Sequence, residues 1–209
     1  MTQGDDARIG LRERKKRETR VALSQATIRL CVQRGWDNVT VEDIAAAANV
    51  SVRTFRNYFS GKAEAIAASH LERMLRIADE LRTRPVAEPL WDSIVHVVQA
   101  QFAQGDDSGA RSSHDQRWRD GLRLMLAEPA LQGEVVKANA AAEEELAKAI
   151  AERTGTDVAR DVYPKLVAAM VGAGSAVAVE HSLRTDPPAP LVPVLREVFD
   201  RIATGLHIP

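Results

Sequence analysis

The chain has 209 residues, of which 45% are apolar, 27% charged and only 4% aromatic, the composition of an ordinary globular protein with room for a real core. Its net charge of −1 hides an asymmetry: residues 1–65 carry 12 Lys+Arg against 8 Asp+Glu, and the remainder 16 against 21. A disulfide within the chain is excluded by the single cysteine, Cys31, and the longest low-charge stretch, Leu166–Val179, falls short of the roughly 20 apolar residues that a spanning helix needs.

Alanine, leucine, arginine and glutamate dominate, which favours helix throughout. Residues 1–8 read as disordered. Leu11–Arg34 reads as one helix, with Leu23, Ala26, Leu30 and Cys31 at helical spacing and Gly35 as its stop. Thr40 precedes two acidic residues as an N-cap, opening a short helix over Val41–Ala48. Asn49 suits the left-handed turn that follows, and Ser51 caps a third short helix, Val52–Phe59. Ser60-Gly61 breaks it, and a longer helix is predicted over Lys62–Arg82. Pro85 and Pro89 punctuate the next connection. Helices then fit Pro89–Gln104, Asp115–Ala127, Pro129–Arg153, Asp157–Arg184 and Leu191–Leu206. Gly105–Ser113 reads as the most flexible internal loop, and Asp186–Pro190 as a stiff connector. No alternating strand pattern runs beyond a few residues, so the fold class is all-α.

The strongest signal lies in Thr40–Phe59. Two short helices meet at the four-residue turn Ala48-Asn49-Val50-Ser51, with Ile44, Ala45, Val50 and Phe55 placed to form their shared core. This is helix-turn-helix spacing, in which the second helix enters the DNA major groove. That helix presents Arg53, Thr54, Arg56 and Asn57 outward; arginine pairs with guanine and asparagine with adenine. Ser51 and Val52 stand at its N-terminus, where free amides attract phosphate. Tyr58 and Lys62 follow, suited to the DNA backbone. A solvated polar face would also hold Arg and Asn. Upstream, Arg12, Arg14, Lys15 and Lys16 belong to a basic run that reads as a phosphate-neutralising arm.

The stretch VTVEDIAAAANVSVRTFRNYFSGKAEAI (Val39–Ile66), with IRLCVQRGWDNVT before it, resembles the DNA-binding domain of TetR-family repressors. Thr40, Ile44, Ala45, Val50, Ser51, Thr54, Tyr58, Phe59 and Lys62 carry the likeness. It implies a three-helix DNA-binding domain over residues 1–65, a helical ligand-binding and dimerisation domain over 66–209, operator DNA as partner and a homodimer. Three positions depart from the family pattern. Cys31 stands where an aromatic is usual, leaving volume for Trp36 to fill; Arg56 replaces a common aromatic; Gly61 alters the loop before the fourth helix.

The body is less explicit. Trp91, His96, Phe102, Trp118, Met125, Met170 and His181 are candidates to line an effector pocket, although apolar residues on helices are more often plain core. The WDSIV stretch (Trp91–Val95) resembles acyl-CoA-sensing actinobacterial members, which implies a small, apolar or acyl-CoA-like effector. The histidines are scattered without metal-ligand spacing, no Gly-rich loop follows a strand, and no catalytic order can be read; neither cofactor, metal nor enzymatic activity is expected. The competing readings are a helical enzyme and a helical adaptor. The small residues Ala168, Ala169, Gly172, Ala173, Gly174, Ser175 and Ala176 ask for close approach to another helix, or else for a Gly-rich kink within one subunit. The family resemblance implies that this helix and the last pair with their mates as a four-helix interface. The expected compartment is the reducing cytoplasm.

Overall fold

The computed structural model describes the backbone of residues 3–103 and 111–206 and the side chains of 14–103 and 119–206. Over these residues the chain is helical without strands: α1 (Gln3–Arg34), α2 (Val41–Ala47), α3 (Val52–Arg56), α4 (Lys62–Thr83), α5 (Leu90–Ala103), α6 (Arg111–Ala127), α7 (Pro129–Thr154), α8 (Val162–Arg184) and α9 (Leu191–Ala203). The all-α expectation holds.

Helix boundaries follow local chemistry, and five differ from the sequence reading by three residues or more. Helix α3 ends at Arg56 instead of Phe59, and α6 starts at Arg111 instead of Asp115, so residues 111–113 of the expected Gly105–Ser113 loop are helical and its remainder lies outside the described residues. Helix α1 starts at Gln3, so residues 3–8 are helical. Helix α8 starts at Val162 instead of Asp157, because Asp157 takes a turn: its Oδ1 accepts from Ala159 N at 2.7 Å, and its own N–H donates to Asp161 Oδ2 at 2.7 Å. Such side-chain bonds offer the backbone an alternative to helix. Helix α9 ends at Ala203, since Gly205 takes φ 87° and lets Leu206 N bond Arg201 O at 2.9 Å, closing the C-terminus.

The chain forms two compact units. The first comprises Met1–His70 with Asp120–Val135, the second Leu71–Arg119 with Val136–Pro209. The boundaries fall inside α4, α6 and α7. Leu23, Leu30, Ile44, Phe55, Phe59 and Ile66 fill the core of the first unit, joined by Leu131 from α7. Ser24 Oγ donates to Ala65 O at 2.6 Å and so fastens α1 to α4.

In the second unit α8 packs on α9, and Trp91 of α5 meets Phe199 of α9 edge-on at 5.8 Å. Helix α8 is long and apolar enough to cross a membrane by length and composition, but a core helix passes the same test. One of its faces, with Val167, Val171, Gly174 and Ala178, is buried.

The α4–α5 connection is clamped by charge. Arg153 donates to Arg84 O at 2.9 Å, Pro85 O at 2.6 Å, Glu88 O at 3.0 Å and Ser93 Oγ at 2.8 Å. Glu88 pairs with the Arg84 guanidinium and accepts from Ser93 Oγ at 2.7 Å. The Arg84 bond, then that of Ser93, holds the Glu88 carboxyl down at about 2 from its ordinary 4.5. A depressed carboxyl stabilises the fold above its unfolded pKa, and that contribution is lost as pH falls from about 4.5 towards 2. Glu88→Gln should therefore unfold more easily than wild type at pH 6, with the gap closing across that window. Urea midpoints at stepped pH check this; a gap that stays constant down to pH 2 would deny the clamp its charge.

Candidate nucleic-acid interface

Helix α2 is fixed at its start by a capping box. Asp43 N donates to Thr40 Oγ1 at 3.1 Å, and Thr40 N returns to Asp43 Oδ2 at 2.9 Å. The bonds from Thr40 draw the Asp43 carboxyl below its ordinary pKa. The turn to α3 passes through Asn49 at φ 54°, the left-handed conformation expected there. Ser51 then caps α3, accepting from Thr54 N at 3.0 Å, while its hydroxyl also bonds Thr54 Oγ1 at 2.9 Å. The hydroxyls of Thr40, Ser51 and Thr54 are thus engaged in building the two helices.

Helix α3 has five residues and buries one, Phe55, whose ring tilts on Phe59 at 5.7 Å. Burial of Phe55 decides what the helix shows outside. Arg53, Arg56 and Asn57 stand at i, i+3 and i+4, so they share one face, and all three are exposed. Val52 and Tyr58 are half-buried against the core. Arg14, Lys15 and Lys16 are exposed on α1, with Arg14 paired to Glu18 at 3.6 Å. The side chain of Arg12 lies outside the described residues.

Lys62 faces inward. Its Nζ donates to Trp36 O and to Val39 O (3.0 Å), and lies 4.2 Å from the centre of the Trp36 ring. A second cation, absent from the sequence reading, behaves similarly. Arg20 lies over the Phe59 ring at 4.7 Å, and its Nη1 reaches Tyr58 O at 3.5 Å. Its signal was in the sequence: Arg20 stands three residues before Leu23 and seven before Thr27, on the buried face of α1.

The effector candidates are dispersed. Trp91 and Met170 are half-buried and Phe102 buried in the second unit, where Arg73 lies over Phe102 at 5.9 Å. Burial, then the neighbouring Arg76 charge, lowers the Arg73 pKa to about 10. His96 and His181 are exposed, and Met125 packs against the core of the first unit. The side chain of Trp118 lies outside the described residues. Two N–H groups on α5, Trp91 Nε1 and Gln99 Nε2, are buried with no acceptor. A groove of about 510 Å³ along α9, lined by Val192, Arg196, Asp200 and their neighbours, contains none of these candidates. Among the described residues no group of three His, Cys, Asp or Glu could hold a metal.

Residues 23–68 match the family model of bacterial regulatory proteins of the tetR family, and residues 88–207 match the MftR C-terminal domain. The chain is 31% identical over 180 residues to the HTH-type transcriptional regulator TcmR of Streptomyces glaucescens, covering 85% of this chain and 79% of that one. It is 30% identical over 205 residues to MftR of Mycobacterium tuberculosis, a regulator named for mycofactocin biosynthesis, covering 96% of each. Among solved structures, FadR of Thermus thermophilus, a transcriptional repressor in complex with lauroyl-CoA, shares the fold with a TM-score of 0.53 at 19% identity, covering 91% of this chain and 96% of that one.

Proposed function

The chain belongs to the TetR family of bacterial transcriptional regulators, and from that premise we propose that it is an operator-binding repressor, acting as a homodimer and released by a small, largely apolar effector. The observation that carries the DNA-binding part is the exposed face of α3. A five-residue helix anchored by one buried phenylalanine has little to do in the core. What it offers to solvent is two guanidiniums and an amide in a row, the side chains that pair with guanine and adenine edges in the major groove. Arg14, Lys15 and Lys16 supply sequence-independent attraction to phosphate.

Arg53→Ala should weaken operator binding by about 1–3 kcal/mol and relax preference at one base pair. A gel shift on the duplex that the wild type enriches from a random library, repeated with every base change in the half-site, reads both. Unchanged affinity and an unchanged preference profile would remove Arg53 from base reading.

The effector reading rests on the body. Phe102, Trp91 and Met170 give apolar area, and the buried N–H groups of Trp91 and Gln99 lack acceptors that a ligand's oxygen atoms would supply. That FadR was solved with lauroyl-CoA supports an acyl-CoA-like compound. An effector shifts operator binding only by its differential affinity for the two conformations. A coupling of about 1–3 kcal/mol corresponds to roughly 5- to 150-fold, and operator DNA must weaken effector binding by the same factor. Titration calorimetry with lauroyl-CoA, with and without operator, tests this. Equal affinities in the two titrations would rule that compound out as inducer.

A further inference from the structure

We infer that Lys62 is a positioning residue, locking the α1–α2 turn against α4 so that α3 is held at a fixed angle, and that it is not one of the phosphate contacts. The inference rests on the DNA-binding reading above.

A lysine at the start of α4, just after the exposed face of α3, would serve naturally as a phosphate contact if its ammonium were free to reach outward. Here it is turned the other way. Two of its three N–H donors are taken by the carbonyls of Trp36 and Val39, and its charge sits 4.2 Å from the Trp36 ring centre. Those carbonyls belong to the turn that begins with Gly35 at φ 82° and ends at Thr40, the N-cap of α2. The ammonium therefore fixes where α2 begins, and α2 in turn carries Ile44 and Ala45, which with Phe55 seat α3 in the core. A reach towards phosphate would leave both carbonyls without their charge-assisted bonds. Arg20 provides the matching hold at the far end of α3, through Tyr58 O and the Phe59 ring.

Positioning and phosphate binding predict different salt behaviour. Each phosphate neutralised contributes about 0.9 to the slope of log K against log salt. A residue that only sets the angle of α3 leaves that slope alone and changes the ratio of specific to non-specific binding. The experiment uses the full chain with two duplexes, the one that the wild type enriches from a random library and a mixed-sequence control, far below the melting temperature of each variant. Lys62→Met should lose at least about tenfold on the enriched duplex, the scale of one mispositioned base contact, and stay within about twofold on the control with an unchanged slope. Trp36→Phe, which changes no charge, should lose preference in the same direction, and it keeps the inference testable if Lys62→Met does not fold. A slope shallower by about 0.9 for each Lys62 on the DNA, about 1.8 for the dimer, on both duplexes would make Lys62 a phosphate contact and overturn the inference. A lower melting temperature with the specificity ratio intact would reduce Lys62 to structural support and overturn it equally. A wild type that enriches no sequence would fail the regulator reading itself, and the inference with it.

Discussion

Phe55→Ala is expected to destabilise the first unit by about 3–5 kcal/mol and abolish operator binding. Phe55 is fully buried, and it is the only buried residue that α3 contributes. A helix of five residues has no stability of its own, because nucleation consumes more order than so few hydrogen bonds return. Its shape is therefore imposed by what Phe55 packs against: Phe59, and the cluster of Leu23, Leu30, Ile44 and Ile66 around it. Alanine would remove the ring and leave a cavity that the neighbouring helices cannot collapse to fill. Against a total stability of about 5–15 kcal/mol the loss is large, and a chain of this size should melt about 6–20 °C lower. The exposed Arg53, Arg56 and Asn57 would then lose their common face without being touched. Thermal melts and a gel shift on the same sample check both halves. A variant melting within about 2 °C of wild type would show that α3 is held by something other than its phenylalanine.

The helix-turn-helix was legible because its signals are local. Thr40 and Asp43 are three residues apart and cap the helix they open; Asn49 turns where its short polar side chain tolerates positive φ; Ser51 caps three residues ahead. Each is settled within one turn of chain. What the sequence hid depends on distant partners. The inward bonds of Lys62 are such a case, because its acceptors, Trp36 O and Val39 O, lie 26 and 23 residues back. Leu131 joins the core of the first unit from the start of α7, about a hundred residues after Leu30, and nothing in its own surroundings marks it. Residue type alone marks the pocket candidates, and type does not say which way a side chain turns: His96 and His181 are exposed.

Helix α8 was ambiguous for a different reason. It is apolar or small nearly all round, so periodicity cannot separate the face that meets its own chain from the face that meets another. The structure shows which face α9 takes up. Gly174 faces inward: a Cβ there would lie 3.0 Å from Ile202 Cδ1 and 3.4 Å from Phe199 and Val198, all on α9 of the same chain. Gly174→Leu should therefore strain the α8–α9 packing, costing about 1–3 kcal/mol as an overpacked core does, and lower the melting temperature first. The outward stripe is Val162, Leu166, Ala169, Ala173 and Val177, at helical spacing, with Val162 76% and Val177 56% exposed. One recognition helix touches too few base pairs to find a site in a genome, whereas two copies related by a two-fold axis read a near-palindrome. A stripe of small and branched apolar residues is the surface such a copy would cover.

Val177→Glu should accordingly leave the fold intact and separate the copies. It places a carboxylate where the partner's apolar stripe would otherwise bury it, and an unpaired buried charge costs far more than the lost contact. Linking two weak half-sites is worth about 10²- to 10⁴-fold in avidity, so operator affinity should fall by at least about a hundredfold while mixed-sequence binding changes little. Sedimentation at micromolar concentration reads the assembly and circular dichroism the fold. Ala173→Glu, one helical turn away on the same stripe, should repeat the result. Two glutamate variants that still sediment as dimers would place the interface elsewhere, and a Gly174→Leu chain that melts normally yet sediments as a monomer would return the small-residue face of α8 to the dimer contact.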